Sequence, residues 1–310
     1  MSPEPVVSFV MPARQPRRDW LEAAVTSVLS QEDCDVELLV VDDGSPEPVE
    51  RVLEGIDDPR LRVLRVDHGG ISHARNAGIA EATGEHFRFI DADDVLEPGS
   101  TARLVRLAGE EPGGAIAYGA TLNCDEELRP LNAMRSDLEG WIVEDCLLYR
   151  FDVRCLSMVF PRRVVEAVGA WDPTLRQCQD WDFVLRACEH APVRGEPAIA
   201  TFYRRHGGAQ TSNLAASLDY ERLVVDRYFE RHPEQVGTRL ERRARAQLLR
   251  VRATAYGTLG KGRSAQLQAL RQAFALDRSG TTAHLLRGTA RAGRRALSRA
   301  RRAAVAGARR

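Results

Sequence analysis

Apolar residues gather in short unbroken runs along the first third of the chain, at 6–11, Val36–Val41, Leu61–Val66 and His86–Ile90. Runs of this length that end on turn-forming or charged residues predict buried parallel strands. Between them the period changes. Trp20, Leu21, Ala24, Val25, Val28 and Leu29 recur at helical spacing, and Ser72–Ala82 forms a second helical pattern after a Gly-Gly turn. Another helix is expected after Pro98, with Leu104, Val105 and Leu107 as its apolar positions. Strand and helix in alternation predict an α/β fold with a doubly wound, mostly parallel sheet.

Such a sheet binds ligands beyond the carboxyl ends of its strands, and that is where the unusual residues fall. Pro12 and Ala13 end the first strand, Asp42, Asp43, Gly44 and Ser45 the second, and Asp91–Asp94 the fourth. The stretch FRFIDADDVLEP (Phe87–Pro98) crowds four carboxylates, Asp91, Asp93, Asp94 and Glu97, behind an apolar run. Charges this close repel, so they call for solvent or a cation. Turn-making and helix capping account for either acidic cluster alone. Two clusters at matching strand ends favour a site.

Charge changes the picture in the other half. The net charge is zero, yet residues 231–310 hold 20 Lys+Arg against 3 Asp+Glu, leaving −17 on the first 230 residues. An acidic body and a basic arm imply different partners. From about Leu218 onward the pattern is helical. Tyr256–Gly262 reads as a turn between two helices, and ALRQAFALD (Ala269–Asp277) is similar to one helix of a tetratricopeptide-like hairpin. The expected domains are 1–215 and a basic helical extension, 216–310. At 310 residues the chain is long enough to bury a core without staples. Its six cysteines lack CxxC pairs and read as reduced. The apolar run at 6–11 lacks a basic lead-in, and no later stretch is long enough to span a bilayer, so a cytoplasmic protein is expected.

The motifs, in order, resemble family 2 glycosyltransferases of the GT-A fold: VSFVMPA (Val7–Ala13), LLVVDDGSPE (Leu38–Glu47), GGISHARNAGI (Gly69–Ile79), TGEHFRFIDADD (Thr83–Asp94), VGAWDPTL (Val168–Leu175), QDWDFVLR (Gln179–Arg186) and YRRHGGAQTSN (Tyr203–Asn213). Arg14-Gln15 departs from the family pattern, which has an aromatic or small residue and then Asn there. The resemblance implies inverting transfer of a sugar from a nucleoside diphosphate, UDP or dTDP, to a hydroxyl of a cell-envelope glycan, glycolipid or polysaccharide. It implies a Mn²⁺ or Mg²⁺ ion at a DxD element, with Asp93 as direct ligand and Asp91 nearer the ribose. Such ions take carboxylate, phosphate and water oxygens.

By the same resemblance Asp43 accepts a hydrogen bond from the nucleobase, beside Pro12 and Ala13, and His206 closes over the diphosphate as a further metal ligand. Arg204, Arg205 and His206 next to Gly207-Gly208 read as a cationic flap. Arg75, in a loop that leads into a helix, is expected to face nucleotide charge. Asp94 either orders the loop or touches the donor sugar. Asp180 matches the general base. Asp182 competes with it, though on a helix the two diverge by about 200°. Trp181 is placed on the acceptor side, and Trp171 either there or in the core.

Two other readings fit parts of the chain. FIDADDV also matches the haloacid dehalogenase motif, an apolar strand followed by paired aspartates, the first a nucleophile. That family calls for a lysine and for the motif to open the fold, whereas the sole lysine is Lys261 and the motif follows three strands. A binding or scaffold protein would use the basic arm alone. The arm suits an anionic membrane surface. Nucleic acid is disfavoured, since no aromatic interleaving accompanies the charge.

Overall fold

A computed structural model describes residues 7–151, 153–207 and 214–286. The chain divides into two units, Met1–Ser212 and Asn213–Arg310.

In the first unit, β1 (Val7–Ala13), β2 (Val36–Asp43), β3 (Leu61–Val66) and β4 (His86–Phe89) form a parallel half-sheet in the order β3-β2-β1-β4. β1 is buried along its whole length, which is why its run of apolar residues is unbroken. Its side chains still alternate between two layers. Phe9 and Met11, with Leu38 and Val40, pack on Leu21, Val25 and Val28 of α1 (Arg18–Leu29). The opposite face takes α3 (Ile71–Glu81), which follows the short α2 (Val49–Val52) and β3. There Gly78 lets α3 approach: a Cβ at this position would lie 2.5 Å from Val10 Cγ1 and 3.2 Å from Val41 Cγ2.

Beyond β4 the sheet becomes mixed, and these strands are absent from the alternating pattern in the sequence. β5 (Val95–Leu96), β6 (Ile116–Cys124), β7 (Pro130–Met134), β8 (Met158–Pro161) and β9 (Val193–Arg204) extend it in the order β4-β8-β6-β9-β5, with β7 paired to β6. β8 runs antiparallel to both β4 and β6, while β6 and β9 are parallel. α4 (Ser100–Gly109) covers this half with Leu104 and Ala108 against Ala117, Val159 and Ala200. The short α5 (Val143–Leu147), α6 (Arg162–Val168) and α7 (Gln179–Ala187) complete the unit.

A fully buried arginine ties the two halves together. Arg88 of β4 donates to Ser100 Oγ at 3.0 Å and Thr101 Oγ1 at 2.8 Å on α4, and to Leu156 O at 3.4 Å. Burial pushes its pKa down to about 9, which leaves it charged at neutral pH.

The second unit contains α8 (Leu214–Arg231), α9 (Arg239–Thr258) and α10 (Arg263–Leu276), followed by helical residues 278–286. Thr238 caps α9 by accepting from the Glu241 amide, and Glu241 accepts in return from Gly237 N at 2.7 Å. The turn that joins α9 to α10 is shorter than the expected Tyr256–Gly262, since Tyr256, Gly257 and Thr258 end α9, and a buried Arg250–Asp277 pair at 3.2 Å pins the segment after α10. The arginine-rich 287–310 stretch lies outside the described residues. No helix among the described residues is long and apolar enough to cross a membrane.

The close approach at Gly78 yields a stability test. Gly78→Val should destabilise the protein by about 1–3 kcal/mol through overpacking. Gly109→Ala, where a Cβ meets nothing within 4 Å, should stay within about 0.5 kcal/mol of the parent. Paired thermal melts check both.

Candidate active site

Three strand ends converge as expected for a doubly wound sheet. Pro12 and Ala13 stand in register with Val41 and Asp42, and Ile90 carries the chain from β4 into Asp91. Asp91, Asp93 and Asp94 each offer an oxygen, and these three atoms lie within 4.8 Å of one another. At an effective dielectric of 20, two unit charges at such a separation repel by about 3 kcal/mol. The local structure must offset this, and each carboxylate has a different partner.

Asp91 accepts from Arg75 Nη2 at 2.8 Å. Arg75 is 7 % exposed, and its guanidinium lies 4.3 Å from the centre of the Trp171 ring. Its charge is turned onto the first aspartate of the loop. Asp93 Oδ2 sits 2.8 Å from His206 Nε2. Burial pushes the Asp93 carboxyl up, the Asp91 charge adds to this, and His206 pulls it back. Asp94 is fully buried. Its Oδ1 accepts the Arg204 amide at 2.7 Å, while its Oδ2 has no hydrogen-bond partner among the described residues. Burial, then the charges of Asp93 and Asp91, push it well above the ordinary carboxylate range.

Arg204 is not part of a flap. It is 4 % exposed at the end of β9, donates from Nε to Asp93 O at 2.8 Å and bonds Glu126 O. Trp20 on α1 supports it, with the Arg204 guanidinium 4.8 Å and the His206 ring 4.9 Å from its own ring centre. Sequence periodicity assigned Trp20 to the core and gave no hint of this second use. Arg205 is exposed, and the remainder of the expected flap, 208–213, lies outside the described residues.

The second strand end is occupied by its own loop. Asp43 accepts from Gly69 N at 2.8 Å and Gly70 N at 3.1 and 3.0 Å, and its Oδ2 lies 2.8 Å from His68 Nδ1. Three groups, the Gly69 and Gly70 amides and the His68 ring, thus converge on Asp43, which anchors the loop before α3. Asp42 holds the Ser45 and Val49 amides and pairs with Arg65 at 2.8 Å.

On α7 the two competing aspartates separate. Asp182 is 2 % exposed and forms an ion pair with Arg186 at 2.6 Å. Asp180 is half-buried and accepts the Trp181 amide at 2.8 Å through Oδ1. Arg75, Asp180 and Asp91 all act on the buried Cys155 thiol, which burial pushes up, Arg75 pulls back, and the two carboxylates raise further. Trp181 is half-buried, donates from Nε1 to Cys146 O at 3.2 Å and packs on Tyr149.

Trp171 has no exposed surface and belongs to the core. It stacks on Phe183 at 4.2 Å and meets Phe89 edge-on, while its main chain exchanges two hydrogen bonds with the Asn76 side chain. Of the two places expected for it, this is the core. Arg154 was missed: its guanidinium lies 3.8 Å from the Tyr203 ring centre, and its charge lowers Asp94. It comes from a stretch with no recognisable motif.

The oxygen set fits a divalent cation. The donors are hard carboxylates with crowded charge, and one of them keeps a buried oxygen without a partner. Asp91 and Asp93 are the accessible members, and His206 stands against Asp93.

Residues 8–149 match the family described as Glycosyl transferase family 2. The uncharacterized protein y4gI of Sinorhizobium fredii is 31 % identical over 227 residues, 68 % of this chain and 24 % of that protein. The succinoglycan biosynthesis protein ExoO of Rhizobium meliloti is 37 % identical over 196 residues, 59 % of this chain and 56 % of that protein. The chain spans only 36 % of each of two similar Rickettsia glycosyltransferases. Among solved structures, S. aureus TarS 1–349 in complex with UDP-GlcNAc aligns with a TM-score of 0.59 at 14 % identity, covering 88 % of this chain and 92 % of that one. That likeness shows a GT-A-like fold, and the Asp91–Asp94 loop follows the fourth strand where a dehalogenase would have it follow the first. With the family match over residues 8–149 and relatives of 31 % and 37 % identity, the chain belongs to the family 2 glycosyltransferases.

Proposed function

We propose that this enzyme transfers a sugar, with inversion, from a uridine or thymidine diphosphate sugar to an acceptor hydroxyl during assembly of a cell-envelope polysaccharide. The observation that carries the reading is the Asp91–Asp93–Asp94 group at the end of β4, three carboxylate oxygens within 4.8 Å. TarS structures in complex with UDP-GlcNAc and with UDP support the donor class. The succinoglycan protein ExoO and the O-antigen biosynthesis protein RfbC of Myxococcus xanthus support the acceptor class.

The chemistry is one displacement. The acceptor oxygen forms a bond to the anomeric carbon, the bond from that carbon to the phosphate oxygen breaks, and the electron pair leaves on the diphosphate. Asp180 takes the acceptor proton on Oδ2, since its Oδ1 is engaged by the Trp181 amide. Asp93 and Asp91, with His206 beside them, would hold a divalent cation, Mn²⁺ or Mg²⁺, which when bound would supply Lewis-acid neutralisation of the leaving diphosphate. Arg75 keeps Asp91 in place, and Arg204 fixes the main chain at Asp93 and Asp94. Asp43 contributes through the loop it anchors, and opening of the His68 contact would free its Oδ2 for the base ring.

The aspartate group is tested by calorimetric titration of UDP and dTDP. Binding should appear with Mn²⁺ and weaken about tenfold or more, some 1.4 kcal/mol, on adding EDTA or in Asp93→Ala. Equal binding in all three samples would overturn the metal site. Asp180→Asn should lower kcat by about 10²–10⁴-fold with nucleotide affinity unchanged, and a kcat near that of the parent would assign the base elsewhere. The basic arm is tested by pelleting with anionic liposomes, which should decline steeply as salt rises.

A further inference from the structure

Side-chain size on α10 runs opposite to burial. The residues this helix buries as it packs on α9 are the small Ala269 and Ala273, whereas Leu267 is 53 % exposed and Phe274 41 %. At about 100° per residue, Leu267 and Phe274 fall within about 20° of each other, on the side away from the two alanines. Arg263 and Arg271, both exposed, lie about 40° to either side of Leu267. The surface continues past the end of α10. Arg278, exposed at the start of helical residues 278–286, holds its guanidinium 5.7 Å from the Phe274 ring centre. Leu285 is exposed and falls within about 20° of Arg278 around that helix. Apolar side chains and guanidinium groups therefore alternate along one face.

Charge narrows what can cover this face. Beyond Glu241 the only acidic residue in the sequence is Asp277, and it is engaged by the buried Arg250 at 3.2 Å. A second copy presenting the same face would set arginine against arginine. Residues 287–310 carry nine arginines and no acidic residue, so like charge keeps them from it as well. Nucleic acid would satisfy the cations but would leave Leu267 and Leu285 against phosphate and water. An anionic bilayer offers both kinds of contact at once. Its headgroups pair with the guanidinium groups, while the boundary below them takes apolar side chains and the arginine stems.

We infer that α10 docks on an anionic lipid surface, with Leu267 and Phe274 entering the boundary between headgroups and acyl chains and Arg263, Arg271 and Arg278 paired with lipid phosphates. The inference deepens the membrane reading of the basic arm and rests on it. Charge alone would bring the arm to the bilayer in any orientation, whereas the two apolar anchors select the helix and the face that lie on it.

The test is flotation of the full chain with vesicles of phosphatidylcholine alone and of phosphatidylcholine mixed with phosphatidylglycerol, at one near-physiological salt concentration. The parent should float with the mixed vesicles and not with phosphatidylcholine alone. The double variant Leu267→Ser, Phe274→Ser keeps every charge and should bind the mixed vesicles about tenfold or more weakly. Both positions are exposed, so its thermal melt should match that of the parent. Leu267→Ser alone should shift binding in the same direction and reports even where the double variant melts early. Equal binding by the parent and the serine variants would overturn the inference and leave the arm a purely electrostatic one. Self-association of the parent in sedimentation that Leu267→Ser abolishes would assign the face to a second copy instead. No flotation of the parent with either vesicle would sink the membrane reading of the arm together with the inference, and UDP titration without vesicles reports on the transferase reading separately.

Discussion

Repulsion within the loop that follows β4 is the constraint on which the rest of this site depends. Asp91, Asp93 and Asp94 cannot all stay ionised so close together without compensation, and the fold supplies it from three directions. Arg75 arrives from α3, His206 from beyond β9, and the Arg204 amide from the end of β9 itself. Strands widely separated in the chain thus meet on one loop. The compensation is incomplete, because Asp93 and Asp94 are still pushed up. A loop left short of positive charge is prepared for a cation.

Arginine does the joining elsewhere too. Arg88 crosses from β4 to α4 with hydroxyl and carbonyl partners, and Arg65 and Arg186 each hold an aspartate beside the site. A guanidinium's planar set of donors suits such bridges, since it reaches two elements at once. Removing one partner would strand the other in a buried position, at greater cost than the bond itself contributes.

Part of the molecule was legible from its residues. Buried parallel strands need apolar side chains on both faces, so β1 to β4 appear as unbroken runs, and α1 and α3 show the helical period of one-sided burial. The binding of ligands beyond strand carboxyl ends groups the acidic ends of β2 and β4 on one side of the sheet. Beyond β4 the signal fades. β5 spans only Val95–Leu96 and β8 only Met158–Pro161, too short for periodicity to register, and their antiparallel pairings are set by partners far along the chain.

By itself, then, the sequence determined the alternating half-sheet, the family, and the chemical types gathered at its strand ends, because these follow from local period and ordered motif. Only the tertiary structure decided which of those groups are available. Asp43 holds its own loop, Asp182 pairs with Arg186, Arg75 with Asp91, and Trp171 packs in the aromatic core. Asp180 and Asp182 are nearly indistinguishable as letters, yet one is half-buried with a backbone partner and the other is sealed in an ion pair. Hydrogen bonding and burial are properties of neighbours in space, and long-range contacts choose those neighbours.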